Sequence, residues 1–397
     1  VTGAVLGNAI LGDGRSVDIE IGDGRIAAIA PAGSLKQPTI DLAGALLVPG
    51  LIDGHIHLDK TLLGRPFVSH RPGASVAERI AHEKELRREV AYPVETRAKH
   101  LIARVVACGT TALRTHIDID TEIGLSGLHA LLKVREQVRG LVDIQIVAFP
   151  QSGVISDPGT ADLLDQAIGE GADLVGGLDP AGIDNDVTGH LDAIFGIAGR
   201  RGVGLDIHLH DPGPLGCFEL RQIAARTLAA GLAGCVAVSH AFALGAVDDD
   251  EFGRTAEALA RAGVAIMTNG PGPVPMPPVK RLVAAGVTVF AGSDNIRDAW
   301  SPYGNGDMLE RAMLIGYRQG FLADADLVLA FDLVTGAAAR VLGLPAHGVA
   351  VGAPADLVVL AVGSVPEAVV GRPPRNLVMK GGHVVARDGR LSEALQS

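Results

Sequence analysis

The chain has 397 residues, with 34 Lys and Arg against 45 Asp and Glu and a net charge of −11 at pH 7. That balance excludes the clustered cations that binding to nucleic acid or anionic lipid requires. A content of 48% hydrophobic and 20% charged residues excludes a disordered tail. The three cysteines, Cys108, Cys217 and Cys235, are too few and too scattered for a disulfide framework or a Cys-rich zinc site, so a cytoplasmic setting is expected.

In chain order, the first fifty residues alternate short apolar runs with Asp-Gly and Gly-rich breaks, as in SVDIEIGDGRIAAIAPAG, which predicts short strands and tight turns. The opening segment has no basic n-region, and Gly, Asn and Asp interrupt its apolar stretch, so neither a targeting segment nor a membrane span is expected. The last fifty residues, with ADLVVLAVG and NLVMKGGHVVARDGR, repeat the pattern of the first fifty. Residues 1–50 and 347–397 are therefore expected to form one small β-sandwich domain.

Residues 51–346 alternate strand-like runs with segments of helical period, the pattern of parallel βα units. Eight strand candidates stand out: LVPGLIDGHIH, TTALRTHIDI, VDIQIVAFPQ, DLVGGLDPA, VGLDIHLHD, GCVAVSHA, VAIMTNGP and VTVFAGSDN. Helices are predicted between them, SVAERIAHEKELRREV being the first. Eight such pairs predict an α/β fold, a closed (β/α)₈ TIM barrel. Thr61 to about Ser75 is too irregular for a helix and is expected to loop over the barrel mouth.

Polar residues collect where these runs end: His55 and His57, His116 and Asp118, Gln151, Asp179, His208 with His210 and Asp211, His240, Asn269, then Asp294 and Asn295. A barrel gathers its C-terminal strand ends on one face, so these residues are expected to share one site. Two imidazoles at the spacing of His55 and His57 project to the same side of a strand. With His208 as a third nitrogen and Asp294 as an oxygen, they suit one divalent ion, zinc ahead of ferrous iron, and not calcium or magnesium. An ion with an open position activates water as a nucleophile near neutral pH.

Asp294 is then expected to touch the ion and accept the water proton, with His240 orienting the nucleophile and His210 with Asp211 serving as acid and base. The pattern fits Lys60 either as a salt-bridging lysine or as a group that polarises a substrate carbonyl. Gln151 and Asp179 fit either loop amides or substrate, and His116 reads as structural. Asp118 and Asp120 are candidates to cap the following helix.

The ordered motifs PGLIDGHIHLDK, a lone strand-end His, VSHA and GSDN resemble the amidohydrolase superfamily along essentially the whole chain. The fourth strand, DLVGGLDPAG, holds no lysine, so the sequence is similar to the mononuclear branch that includes the cytosine deaminases. Asp211, His210 and the pair Asp294-Asn295 depart from the cytosine deaminase pattern. Together with HLHD and SDNIRDAWSPYGNGDM, they are more similar to hydrolases that take an alkylamine from a hydroxylated triazine. The resemblance implies His55, His57, His208 and Asp294 as metal ligands, with Lys60, His210 and His240 as catalytic groups. It also implies Gln151, Asn295 and Trp300 as pocket residues.

The expected activity is hydrolysis of an exocyclic C–N bond on a small nitrogen-rich heterocycle. A ring-opening cyclic amide or imide hydrolase and a cytosine- or pterin-type deaminase are the alternatives. The expected partners are a small-molecule substrate and further copies of the chain, with no nucleic acid and no membrane.

Overall fold

The computed structural model describes residues 3–35, 38–90, 92–344 and 346–392. Its central element is a parallel sheet of eight strands in chain order: β1 (Leu51–Ile56), β2 (Thr110–Asp118), β3 (Asp143–Phe149), β4 (Leu174–Leu178), β5 (Gly204–Leu209), β6 (Val236–His240), β7 (Ala265–Thr268) and β8 (Val289–Ala291). The seam between β8 and β1 is closed by a bridge between Ile56 and Asp294 and by Asp294 N–H donating to His55 O at 2.7 Å. The TIM-barrel expectation therefore holds.

Strand alternation sorts the side chains. On β5, Leu205, Ile207 and Leu209 belong to the apolar layer under the helices, while Asp206, His208 and His210 fall on the other face of the strand. Each fully buried Leu or Ile of that outer layer contributes roughly 1.5–3 kcal/mol. At the base of the barrel a separate apolar cluster joins Ile52, Ala237, Met267 and Phe290 to Ala337–Ala339 of the helix Gly336–Val341.

Strands from both chain ends form a second, largely antiparallel sheet of nine. Ile19 and Ile21 from its N-terminal part share one apolar core with Leu377 and Met379 from its C-terminal part, as in a small sandwich. The run LVPGLIDGHIH, expected as a single strand, serves both sheets. Leu46–Pro49 pairs antiparallel with Leu357–Leu360, and β1 begins two residues later. Gly50 allows the crossing, because a Cβ there would lie 2.0 Å from Thr111 Oγ1.

A second difference concerns the first predicted helix. Val76–Glu89 is helical, with Ser75 accepting from Glu78 N–H as its N-cap, yet it buries only Ile80 and Glu83. The outer wall after β1 is Val94–Ala107, which buries seven residues. The polar helix lies beside the mouth instead, after a stretch at 61–75 without helix or strand. Among the described residues, no helix is long and apolar enough to cross a membrane.

Candidate metal centre and active-site cavity

Strict alternation would place His55 and His57 on the opposite face from Ile52. The β1–β2 register shifts between Asp53 and Ile56, and this irregularity turns both imidazoles inward. Asp53 stabilises the turn, its Oδ1 accepting from His55 N–H and Ser293 N–H. Close approach across the seam is possible because residue 292 is glycine, where a Cβ would lie 2.5 Å from His55 Cβ.

Ligand atoms of His55, His208, His240 and Asp294 all lie within 4.8 Å of one another. His57 Nε2 is 3.4 Å and His55 Nε2 3.6 Å from the same oxygen, Asp294 Oδ1. Three of the four expected ligands, His55, His208 and Asp294, thus converge together with His240, while His57 stands outside that group beside the same Asp294 oxygen. His240 and Asp294 have left-handed backbones, with φ of 74° and 61°. Each such residue costs about 1–3 kcal/mol and here re-aims a side chain at a strand end.

The donor chemistry fits a cation. His55 Nε2 and both ring nitrogens of His208 are buried with no hydrogen-bond partner among the described residues. Burial first, and neighbouring positive groups second, hold His57, His208 and His240 well below the usual histidine range, which leaves them neutral and able to coordinate. Burial alone would raise Asp294, but His240, His55 and His57 overcome it and keep the carboxyl well below its usual range. Its other oxygen accepts from Asn269 Nδ2 at 2.8 Å.

His57, His208, His240 and Asp294 face a cavity of about 740 Å³ lined also by His210, Gln151, Phe149, Asn295 and Trp300. Asp179 accepts from His210 N–H and sits 2.9 Å from His210 Nδ1. Burial lowers the affinity of His210 for a proton, but Asp179 outweighs it and raises the pKa overall. Asp179 therefore positions His210 instead of lining the cavity.

Asp211 is not brought to the cavity either. Its Oδ2 accepts from Gly182 N–H, and burial with the Asp179 charge raises its pKa. Having His210 and Asp211 adjacent on a strand end sends them in different directions, and of the two only His210 lines the cavity.

Lys60 is buried, donating to Gln151 Oε1 at 2.6 Å and Glu83 Oε2 at 3.2 Å, with Asp118 Oδ1 at 3.0 Å. Lys60 lines the cavity, and its ammonium so occupied holds the Gln151 oxygen, which leaves the Gln151 amide hydrogens for the cavity. Asp118 serves Lys60 and not a helix cap, whereas Asp120 Oδ1 accepts from Glu122 and Ile123 N–H in the loop before the helix Ser126–Gln137. Asn295 Nδ2 is tied to Asp298 Oδ2. His116 packs with its ring centroid 4.0 Å from that of His55, and its Nε2 lies 3.5 Å from Asp206 Oδ1.

Two contributors escaped the sequence reading. Glu83, on the polar helix, accepts from Trp300 Nε1 at 2.6 Å as well as from Lys60, and one Glu in a charged helix carries no local signal. Phe149, whose ring lies 4.1 Å from that of His208, closes β3 just before Gln151. Its place at a strand end beside the other site residues was the available clue.

A family model described as the amidohydrolase family matches residues 38–391. The chain belongs to the amidohydrolase family. This amidohydrolase is 33% identical to N-isopropylammelide isopropyl amidohydrolase of Pseudomonas sp. (strain ADP), over 97% of each chain. It superposes on the crystal structure of N-isopropylammelide isopropylaminohydrolase from Burkholderia multivorans with a TM-score of 0.94 and 45% identity, covering 99% of this chain and 100% of that one. With 5-methylcytosine deaminase from Klebsiella pneumoniae, liganded with 5-fluorocytosine, the TM-score is 0.88 at 29% identity, covering 96% and 97%.

Proposed function

We propose that this amidohydrolase releases ammonia or an alkylamine from an exocyclic C–N bond of a small nitrogen-rich heterocycle, with one divalent cation, zinc ahead of ferrous iron. The observation that carries the reading is that His208, His240 and Asp294 of the cluster with His55 face one cavity together with His210, which Asp179 holds from behind. Relatives named for isopropylammelide and 5-methylcytosine support the heterocycle.

A bound cation supplies activation of water at neutral pH. The chain does the rest. His55, His57 and His208 offer neutral nitrogens, and Asp294 takes the proton from the attacking water. His210, kept protonated by Asp179 at Nδ1, presents Nε2–H to the departing nitrogen, so the amine leaves neutral as the ring carbon gains oxygen. Gln151 offers its amide hydrogens to a ring acceptor, and Phe149 and Trp300 supply flat apolar walls.

The reading extends to a cytoplasmic homo-oligomer, supported by three unpaired cysteines and by exposed apolar side chains such as Tyr317 and Leu322. It also takes 1–50 with 347–397 as one domain around a barrel at 51–346, supported by the change of sheet at Gly50.

The test is a screen of metal-replete protein against aminotriazines, aminopyrimidines, pterins and cyclic amides, read by mass spectrometry. Exchange of an amine for oxygen supports the reading. A ring-opened carboxylate would replace it with cyclic amide hydrolysis, and lack of turnover with either metal would overturn it.

A further inference from the structure

Beneath the cation cluster runs a line of buried polar contacts that the proposed reaction does not use. His55 Nδ1 lies 2.9 Å from Ser239 Oγ, and Ser239 Oγ donates to Asp206 Oδ1 at 2.9 Å. Arg114 Nη1 donates to Asp206 Oδ2 at 2.9 Å, and Arg114 is fixed in turn by Gln145 Oε1 and by Val341 O at the base of the barrel. His55, Ser239 and Asp206 are fully buried and Arg114 is 3% exposed.

The direction of each hydrogen bond follows from counting protons. A carboxylate facing a guanidinium only accepts. The single hydroxyl hydrogen of Ser239 therefore goes to Asp206, and toward His55 the Ser239 oxygen can only accept. His55 must then carry its hydrogen on Nδ1, which leaves the Nε2 lone pair free on the side of Asp294. Only that neutral tautomer can coordinate through Nε2. By contrast, His57 Nδ1 and both nitrogens of His208 have no such partner among the described residues.

We infer that Ser239, held by Asp206 and Arg114, is a positioning residue that fixes the tautomer and orientation of His55 for cation binding. The role rests on the proposed cation site but not on which heterocycle is turned over. Sequence alone hides it, because adjacent residues on a strand face opposite ways. Ser239 and His240 both reach the interior only because His240 adopts a left-handed backbone.

The experiment uses the full chain, stripped of metal and titrated with Zn²⁺ against a chromophoric chelator, with thermal melts of the metal-free protein alongside. Ser239→Ala should weaken zinc binding by roughly 10–100-fold, and Ser239→Thr, which keeps the hydroxyl, should return it to within about threefold of the parent. Histidine ¹⁵N shifts of the metal-free protein, with His55→Gln assigning the signal, should report Nδ1–H for His55 in the parent and its loss in Ser239→Ala. Unchanged affinity in Ser239→Ala, failure of Ser239→Thr to restore it, or an Nε2–H tautomer in the parent would each overturn the inference. If Ser239→Ala does not fold, Ser239→Cys, whose thiol accepts weakly, carries the same prediction at a smaller factor. A parent chain that takes up no zinc would instead refute the cation site itself.

Discussion

The base and the mouth of the barrel are built from the same eight strands, yet the base is closed by apolar packing while the mouth buries imidazoles and carboxylates against one another. At the base, Ile52, Met267 and Phe290 meet Ala337–Ala339, and the polar side chains beside them, Arg114 and Gln145, are paired with each other, with Asp206 and with Val341 O and Leu342 O. At the mouth, His55 Nε2 and both nitrogens of His208 lack partners among the described residues, and Asp179, His240 and Asp294 hold left-handed backbones. Stability resides in the base and in the layer under the helices. The mouth carries unpaired polar groups and strain that a bound cation and substrate would relieve.

Four expected outcomes test that contrast. The largest effect belongs to Asp294. Asp294→Asn keeps a side chain that tolerates the left-handed backbone but removes the charge. Turnover of any substrate found should fall to background while far-UV circular dichroism stays unchanged, and retained activity would remove Asp294 as ligand and base.

His210→Gln should lower kcat by about 10²–10⁴ with little change in zinc content, as expected for loss of a proton donor. A negligible change in rate would move proton transfer to another group. Met267→Ala tests the base: it should cost about 2–5 kcal/mol in denaturant melts while metal stoichiometry and kcat are preserved. Loss of metal in that variant would mean that base and mouth are one cooperative unit.

The smallest effect is a pH dependence beside the site. Glu219 is pushed up to about 8, by burial first and the neighbouring Asp211 second, from an ordinary value of 4.5. Because the folded value lies above the unfolded one, the stability this proton supplies is complete below about pH 4.5 and disappears as the pH rises through about 8. Glu219→Gln, which keeps the acceptor for Ala181 N–H, should flatten the fall in melting temperature across that window. An unaltered pH profile would assign the fall to other groups.

Much of the site was legible because strand alternation is local. In LRTHID, Arg114, His116 and Asp118 share a face, as do Asp206, His208 and His210 in LDIHLH, and both patterns can be read without a fold. Lys60 shows the limit of such reading. Its position beside the HxH motif fits a salt-bridging or a polarising lysine equally, and the acceptors around it come from β2, from the chain after β3 and from a polar helix, none of them near it in sequence. Asp211 shows the same limit, since one residue past His210 the chain has already turned toward Gly182 and Glu219.

Local sequence sets which residue types stand at the strand ends, because helix and strand periods and Gly-rich breaks are short-range properties of the chain. Which of them meet depends on long-range closure of the barrel. Closure of β8 onto β1 sets Asp294 against His55 and His57, and a register shift turns those two inward. A left-handed residue brings both Ser239 and His240 to the interior. Each depends on contacts between segments up to about 240 residues apart, for which no local pattern holds information.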